Sequence, residues 1–117
     1  MDNFTFPAEE RLRDKACIKA VFKRGVKVGC EGAGLFFLPN GLNYNRFLCT
    51  FRRNYGCAVV RNSSRRISKE VYRQIKHRLQ TGYDLVLLVF SQHIDFSCRF
   101  DQMISLFKSA KIYNEAV

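Results

Sequence analysis

The sequence offers little that would divide or cross-link a chain. Only two of its 117 residues are proline, and it shows no repeat, linker or low-complexity segment. We therefore expect one domain spanning residues 1–117. The five cysteines are odd in number and form no C-x-x-C pair, which argues against a disulfide framework and a structural zinc site. We expect small buried thiols in a reducing compartment.

Long apolar runs are also lacking. The longest covers residues 85–90 and is far too short to cross a bilayer. Residues 1–7 lack the basic stretch and apolar run of a signal peptide. These observations predict a soluble, cytoplasmic protein with no membrane partner.

Acidic residues are scarce relative to basic ones. Twenty Lys and Arg face ten Asp and Glu, which gives a formal net charge of +10. A small domain with this charge repels itself, so an anionic partner is the simplest explanation. Nucleic acid is the first candidate, and an anionic membrane surface and an acidic protein are the alternatives.

Groups suited to catalysis are few. The two histidines, His77 and His93, have no Cys or Ser partner at a recognisable spacing, and no H-E-x-x-H or P-loop motif occurs. Asp84, Asp95 and Asp101 are too scattered along the chain to indicate a metal site. The sequence therefore predicts neither catalytic residues nor metal ligands of the protein's own.

What the sequence does contain is an ordered series of helix and strand patterns. Predicted helices cover residues 14–24, 63–79 and 96–113. Predicted strands cover residues 35–38, 46–53 and 83–90, with a further strand near 26–29. The run at 83–90 is continuously apolar, which favours the interior of the sheet. The order predicts an α+β sandwich, with helices packed on one sheet.

The second predicted helix has two different faces. Ile67, Val71 and Ile75 share one side, and basic side chains lie nearly opposite. A solvated face normally mixes both signs of charge, so we favour a phosphate-binding surface, where the planar fork of Arg grips two oxygens. The basic cluster spans 25 residues and consists of Arg52, Arg53, Arg61, Arg65, Arg66, Lys69, Arg73 and Lys76.

Aromatic residues are a second candidate feature, because unpaired bases stack on aromatic rings. Each ring taken singly is more often a core residue. The candidates are Phe22, Phe36, Phe37, Phe51 and Tyr113.

Several segments resemble the bacterial ribonuclease P protein family. Residues 56–70 (GCAVVRNSSRRISKE) are similar to its G-x-A-V-x-R-N-R-x-K-R signature. Residues 12–25 (LRDKACIKAVFKRG) resemble its first helix, residues 82–86 (GYDLV) its last strand, and residues 106–108 and 112–113 its final helix. The resemblance runs in the same order over residues 6–113.

The resemblance implies a two-layer α-β sandwich with a central, mostly four-stranded sheet, similar to the second domain of ribosomal protein S5. It also implies a left-handed βαβ crossover, the uncommon hand. The implied partners are the ribonuclease P RNA and precursor tRNA, with no protein partner required. The RNA would remove the 5′ leader with Mg²⁺ that is carried mainly by the RNA, and the protein would hold the single-stranded leader in a cleft.

The resemblance also assigns residues. On this basis the RNA-binding residues include Arg53, Arg61, Asn62, Arg65, Arg66 and Lys69, and the basic face of the predicted helix adds Arg73. The leader cleft is assigned Ile18, Phe22, Phe36 and Tyr113. Four positions depart from the family pattern: Ser63 replaces an Arg, Ile18 a common Phe, Leu48 a Gly and Asn54 a Lys.

Two other functions remain open at this point. A different small basic RNA-binding module, such as a ribosomal protein, would need only the basic face. A stand-alone nuclease would need catalytic groups of its own, which the sequence does not indicate.

Overall fold

The computed structural model describes residues 7–90 and 95–114. A short 3₁₀ turn, Ala8–Glu10, precedes a series of three helices and four strands. In chain order these are α1 (Lys15–Arg24), β1 (Val26–Cys30), β2 (Ala33–Pro39), β3 (Arg46–Phe51), α2 (Ala58–Ile75), β4 (Tyr83–Val89) and α3 (Phe96–Ser109). The predicted α+β class and element order are confirmed.

The four strands form one mixed sheet in the order β1-β2-β4-β3. β4 pairs antiparallel with β2 and parallel with β3, so the predicted interior position of this apolar strand is confirmed. Because β3 and β4 are parallel neighbours, α2 is the crossover between them, as in a βαβ unit. The left-handed sense of that crossover stays a prediction.

The two faces of the sheet carry different helices. Leu85, Leu87 and Val89 of β4 are buried in the main core, which α2 and α3 complete. Val86 points to the other face and packs with Val21 of α1. The sheet therefore separates the face that carries α2 and α3 from the face that carries α1.

Local signals fix both ends of α1 as predicted. The Asp14 carboxylate caps the helix by accepting a hydrogen bond from the Ala16 N–H at 3.2 Å. At the other end, a Cβ on Gly25 would lie 2.4 Å from the Val21 carbonyl oxygen and 2.8 Å from that of Phe37. Only glycine allows this close approach between the end of α1 and β2.

The predicted start of α2 is wrong by five residues. The helix begins at Ala58 rather than Ser63 and ends at Ile75, followed by a 3₁₀ turn, Lys76–Arg78. Cys57 makes no side-chain cap and two β-branched valines follow it, so local propensity gives no start signal. Val60 packs against the main core, and this tertiary contact offsets the weak propensity.

The predicted end of α3 is also wrong. The helix stops at Ser109, because Lys111 adopts a left-handed conformation with a φ of 63°. The Ile112 N–H donates to the Phe107 carbonyl and the Lys111 N–H to the Lys108 carbonyl, which is the Schellman pattern of a helix end. The chain then turns Ile112 into the main core.

Candidate nucleic-acid interface

The predicted RNA-binding residues lie on and just before α2. Its core-facing side buries Ser64, Ser68, Val71, Tyr72 and Ile75. Asn62 and Arg66 are exposed and Arg53 is exposed in the turn after β3, whereas four more are half-buried along the helix: Arg61, Arg65, Lys69 and Arg73. The corrected start of α2 places Arg61 and Asn62 inside its first two turns.

Arg65 is held in place by two contacts. Its Nη1 donates a hydrogen bond to Asn62 Oδ1 at 3.1 Å, and its guanidinium carbon lies 5.2 Å from the centroid of the Phe51 ring. Phe51 itself stacks on Tyr55, with ring centroids 4.6 Å apart. Phe51 is therefore a support for Arg65 and for the core, and not an open platform for a base.

Arg61 and Arg73 have different surroundings. The Nε of Arg61 is buried and has no hydrogen-bond partner within residues 7–90 and 95–114. Arg73 instead pairs with Glu70 one turn earlier, Nη2 to Oε2 at 2.5 Å. The same contact lowers the pKa of the Glu70 carboxyl. Much of the charge of Arg73 is therefore balanced within the helix.

A buried arginine contacts α2 on its core-facing side. Arg99 of α3 is fully buried, and its Nη1 donates to the Ser64 and Ser68 hydroxyls and to the Ser64 carbonyl. Its Nε donates to Gln102 Oε1 at 3.0 Å. These bonds connect α3 to two consecutive turns of α2, which fixes the rotation of α2 and so the direction of its basic face.

Three of the four predicted cleft residues come together on the α1 face of the sheet. Phe22 of α1 meets Phe36 of β2 edge-to-face, with centroids 4.8 Å apart, and Ile18 packs in the same cluster. Phe22 is 40% exposed. The Lys27 ammonium lies 5.5 Å from the Phe36 centroid, which places a cation beside the two rings.

The structure does not bring Tyr113 to that cluster. Tyr113 pairs with Leu79 in an isolated antiparallel bridge and packs against the main core, with the Lys108 ammonium 5.7 Å from its ring centroid. The early end of α3 turns this segment away from α1. Phe37 also packs against the main core, near Tyr83.

Sequence reasoning missed two arginines at this surface. Arg11 and Arg13 flank the buried Leu12 in an extended segment that pairs with β3 through a hydrogen bond from the Leu12 N–H to the Phe47 carbonyl, 3.0 Å. Their side chains line a cavity together with Arg65 and Lys69 of α2. Arginines on both sides of an apolar residue in an extended stretch are the signal that would have found them.

No protein-borne active site emerges from the described residues. Within residues 7–90 and 95–114 no three His, Cys, Asp or Glu side chains are placed to hold a metal ion. His77 is exposed in the turn after α2, and His93 lies outside the described residues. No helix in this part of the chain has the length and apolar character to span a membrane.

Fold and surface together define a small, basic α+β protein whose cationic crossover helix and aromatic cleft suit nucleic acid. A family model for Ribonuclease P matches residues 6–111. The ribonuclease P protein component of Petrotoga mobilis is 38% identical over 88 residues, covering 75% of each chain. The chain belongs to the ribonuclease P protein family.

Solved structures agree with this assignment. The ribonuclease P protein from Thermotoga maritima superposes with a TM-score of 0.77 at 27% identity, covering 86% of this chain and 96% of that one. The Staphylococcus aureus protein gives a TM-score of 0.79 at 19% identity, covering 90% and 98%. At 19% identity, the similarity to the Staphylococcus aureus protein supports the fold only.

Proposed function

We propose that this chain acts as the protein subunit of ribonuclease P, binding the catalytic RNA and the single-stranded 5′ leader of precursor tRNA. The observation that carries the proposal is the pairing of two unlike surfaces in a member of this family. The basic face of α2 suits the phosphate backbone. The rings of Phe22 and Phe36 with Lys27 suit an unpaired strand, whose bases stack on aromatics.

In this proposal the protein binds and orients, and the RNA performs the cleavage with Mg²⁺. Mg²⁺ prefers oxygen ligands, chiefly carboxylates. Among the described carboxylates, Asp84 and Glu10 are poorly suited to hold it, since Asp84 accepts two 2.7 Å hydrogen bonds from Arg46 and Glu10 pairs with Lys76 at 2.7 Å. Glu70 is engaged by Arg73. When bound in the ribonucleoprotein, Mg²⁺ would activate the attacking water.

The proposal also places the complex in the cytoplasm, with no protein partner required for cleavage. A ribosomal protein of similar build would need the basic face but not the pairing of the exposed Phe22 with the half-buried Phe36, so the cleft disfavours that alternative. A metal-dependent stand-alone nuclease is disfavoured because, in residues 7–90 and 95–114, no three His, Cys, Asp or Glu side chains are placed to hold a metal ion.

The decisive experiment is cleavage of precursor tRNA by the cognate ribonuclease P RNA at low Mg²⁺, with and without this protein. Protein-dependent cleavage at the mature 5′ end is the expected result. Absence of stimulation by folded protein would overturn the proposal. Cleavage by the protein after removal of all RNA would instead establish the nuclease alternative.

A further inference from the structure

The thiols of the protein differ in their accessibility. Cys57 is exposed, Cys49 is buried, and the other three are half-buried: Cys17, Cys30 and Cys98. The expectation of small buried thiols is therefore confirmed for Cys49 only. Accessible thiols react with oxidants and with disulfides, whereas buried ones are inert, so the surroundings of the accessible thiols decide which of them can react.

Two of the half-buried thiols, Cys30 and Cys98, line the same cavity. It has a volume of about 540 Å³ and lies between α3 and the turn that joins β1 to β2. Cys30 is the last residue of β1, and Cys98 lies in the first turn of α3. Pockets of about 300–1,000 Å³ admit small molecules, so a small reagent has room to reach both thiols.

Hydrogen bonds hold the β1–β2 turn against α3. The Gln102 side-chain amide donates to the Glu31 carbonyl oxygen at 3.1 Å. The Cys30 sulfur lies 3.9 Å from the Gln102 carbonyl oxygen and 3.7 Å from that of Glu31. Gln102 follows Cys98 by one helical turn, and residues four apart share one face of a helix. The Cys30 thiol and the Cys98 side chain therefore lie on the same face of α3.

The backbone that carries Cys98 is fixed on both sides. The Cys98 N–H donates to the capping carboxylate of Asp95 at 3.1 Å. Arg99, the next residue, is fully buried, and its Nε donates to Gln102 Oε1 at 3.0 Å. Because Gln102 also binds the β1–β2 turn, the two thiols are placed by the folded core and not by a loose loop.

The ionisation of Cys30 agrees with a neighbouring thiol. Burial raises the pKa of the Cys30 thiol first, and a hydrogen bond from the Ala33 N–H acts in the opposite direction. The charges of Cys98 and then of Glu31 raise the pKa of Cys30 further. An effect of this kind requires that the groups lie near each other. Since its raised pKa keeps Cys30 protonated, Cys98 is the sulfur that reacts first.

We propose that Cys30 and Cys98 form a redox-active dithiol, which closes to an intramolecular disulfide when the protein meets a low-molecular-weight disulfide. The Cys98 thiolate attacks one sulfur of the oxidant, whose S–S bond breaks and releases one thiolate. Cys30 then loses its proton and attacks the Cys98 sulfur, and the second thiolate leaves. The released thiolates take up the two protons, so the protein loses two hydrogen atoms and the oxidant is reduced to two thiols.

This dithiol is separate from the surfaces assigned to RNA. Neither cysteine belongs to the basic face of α2 or to the cluster of Phe22 and Phe36, so the proposal does not rest on the proposed function. Disulfides inside cells are mostly transient and redox-sensing. A dithiol at the surface of the fold that closes reversibly fits that use.

The first test locates the disulfide. The reduced full-length chain is incubated with mixtures of cystamine and its thiol, cysteamine, free thiols are then alkylated, and disulfides are mapped by mass spectrometry of peptides. Cystamine carries two ammonium groups, which suit a cavity whose lining includes Glu31 and Asp101. The variants are Cys98→Ser, which removes one member of the pair, and the control Cys57→Ser, which removes a thiol outside the cavity.

We expect a disulfide between Cys30 and Cys98 in wild type and in Cys57→Ser, and none in Cys98→Ser, where Cys30 should stay reduced. Cys57 of wild type should instead carry a single cysteamine, since the Val60 and Val59 N–H groups lower the pKa of its thiol. A cysteamine that persists on Cys98 beside a reduced Cys30 would overturn the proposal, as would a different partner for Cys30.

The second test asks whether the fold places the two sulfurs for pairing. In urea the same disulfide should need a ratio of cystamine to cysteamine that is higher by roughly tenfold or more, and other cysteine pairs should compete. The disulfide closes a loop that contains β2, β3, α2 and β4, so oxidised Cys57→Ser should have a higher Tm than the same variant when reduced. Equal ease of pairing in urea and in native buffer, or a lower Tm after oxidation, would refute the placement.

Discussion

The basic face of α2 and the cleft beside α1 lie on opposite sides of one sheet and use different physics. On α2, half-buried cations are held by hydrogen bonds and by a ring, as Arg65 is by Asn62 and Phe51. In the cleft, Phe22 and Phe36 present apolar surface and Lys27 adds one cation. Contacts to phosphates release counterions and depend steeply on salt, whereas base stacking does not.

The difference suggests a division of tasks. A salt-dependent face binds a large structured RNA through its backbone without reading sequence. A stacking cleft tolerates any base and therefore suits a leader whose sequence varies from one precursor to another. Changes that affect only one of the two regions test this division, beginning with the largest expected effect.

Removal of the buried guanidinium behind α2 should have the largest effect. Arg99→Ala removes the guanidinium donor from the Ser64 and Ser68 hydroxyls, of which Ser64 keeps its bond from the Tyr55 hydroxyl, and it opens a cavity, so the free energy of unfolding should fall by about 2–4 kcal/mol. Urea denaturation measures this. Ser105→Ala, exposed on the same helix, is the control and should change it by less than about 0.5 kcal/mol. A loss for Arg99→Ala as small as the control's would mean that α2 is positioned by its apolar contacts alone.

The second-largest effect should come from substitution on the basic face of α2. Arg65→Ala should weaken binding to the ribonuclease P RNA by about 1.5–3 kcal/mol, and the log–log dependence of affinity on salt should become shallower by roughly 0.7–0.9. Filter binding across a salt series measures both quantities, with Lys111→Ala, at an exposed site, as control and Tm as the check on folding. An unchanged salt slope would remove Arg65 from the phosphate contacts.

Substitution in the cleft should weaken binding without changing its dependence on salt, unlike substitution on α2. Phe22→Ala should weaken binding of precursor tRNA by about 1–3 kcal/mol for each base that loses its stacking partner, while binding of mature tRNA and the salt slope stay as in wild type. Phe96→Ala, which removes another partly exposed ring, is the matched control. If Phe22→Ala weakened mature and precursor tRNA equally, the ring would not be a leader contact.

The elements that were predicted well are those whose ends or burial are marked by residues within the element itself. Asp14 and Gly25 mark the ends of α1 locally, and the apolar run of β4 marks an interior strand, so these elements were predicted with little error. The start of α2 was not, because Cys57 gives no side-chain cap and the packing of Val60 against the main core is a tertiary contact. A sequence pattern carries information about one segment and does not show contacts between segments that are distant along the chain.

The candidate sites show the same limit. Phe22 and Phe36 were predicted from resemblance and lie together, but Tyr113 follows a helix end set by the left-handed Lys111, and lysine does not signal that conformation. Arg99 was not predicted to be buried, since its hydroxyl partners lie on another helix. The cavity lined by Arg11 and Arg13 likewise depends on tertiary contacts with α2.

The smallest effect on the free energy of unfolding should come from Lys111 at the end of α3, which lies outside both the basic face of α2 and the cleft. Lys111→Gly relieves the cost of a left-handed non-glycine residue and should raise the free energy of unfolding by about 0.5–1 kcal/mol, or Tm by a few degrees. Binding of the ribonuclease P RNA and of precursor tRNA should stay unchanged, as should the salt slope. Lys111→Ala is the control: it removes the same charge but keeps the Cβ, so it should give no gain in stability. Equal gains from glycine and alanine would show that charge repulsion, and not backbone conformation, limits stability at this position, because only the glycine removes the steric cost of a positive φ.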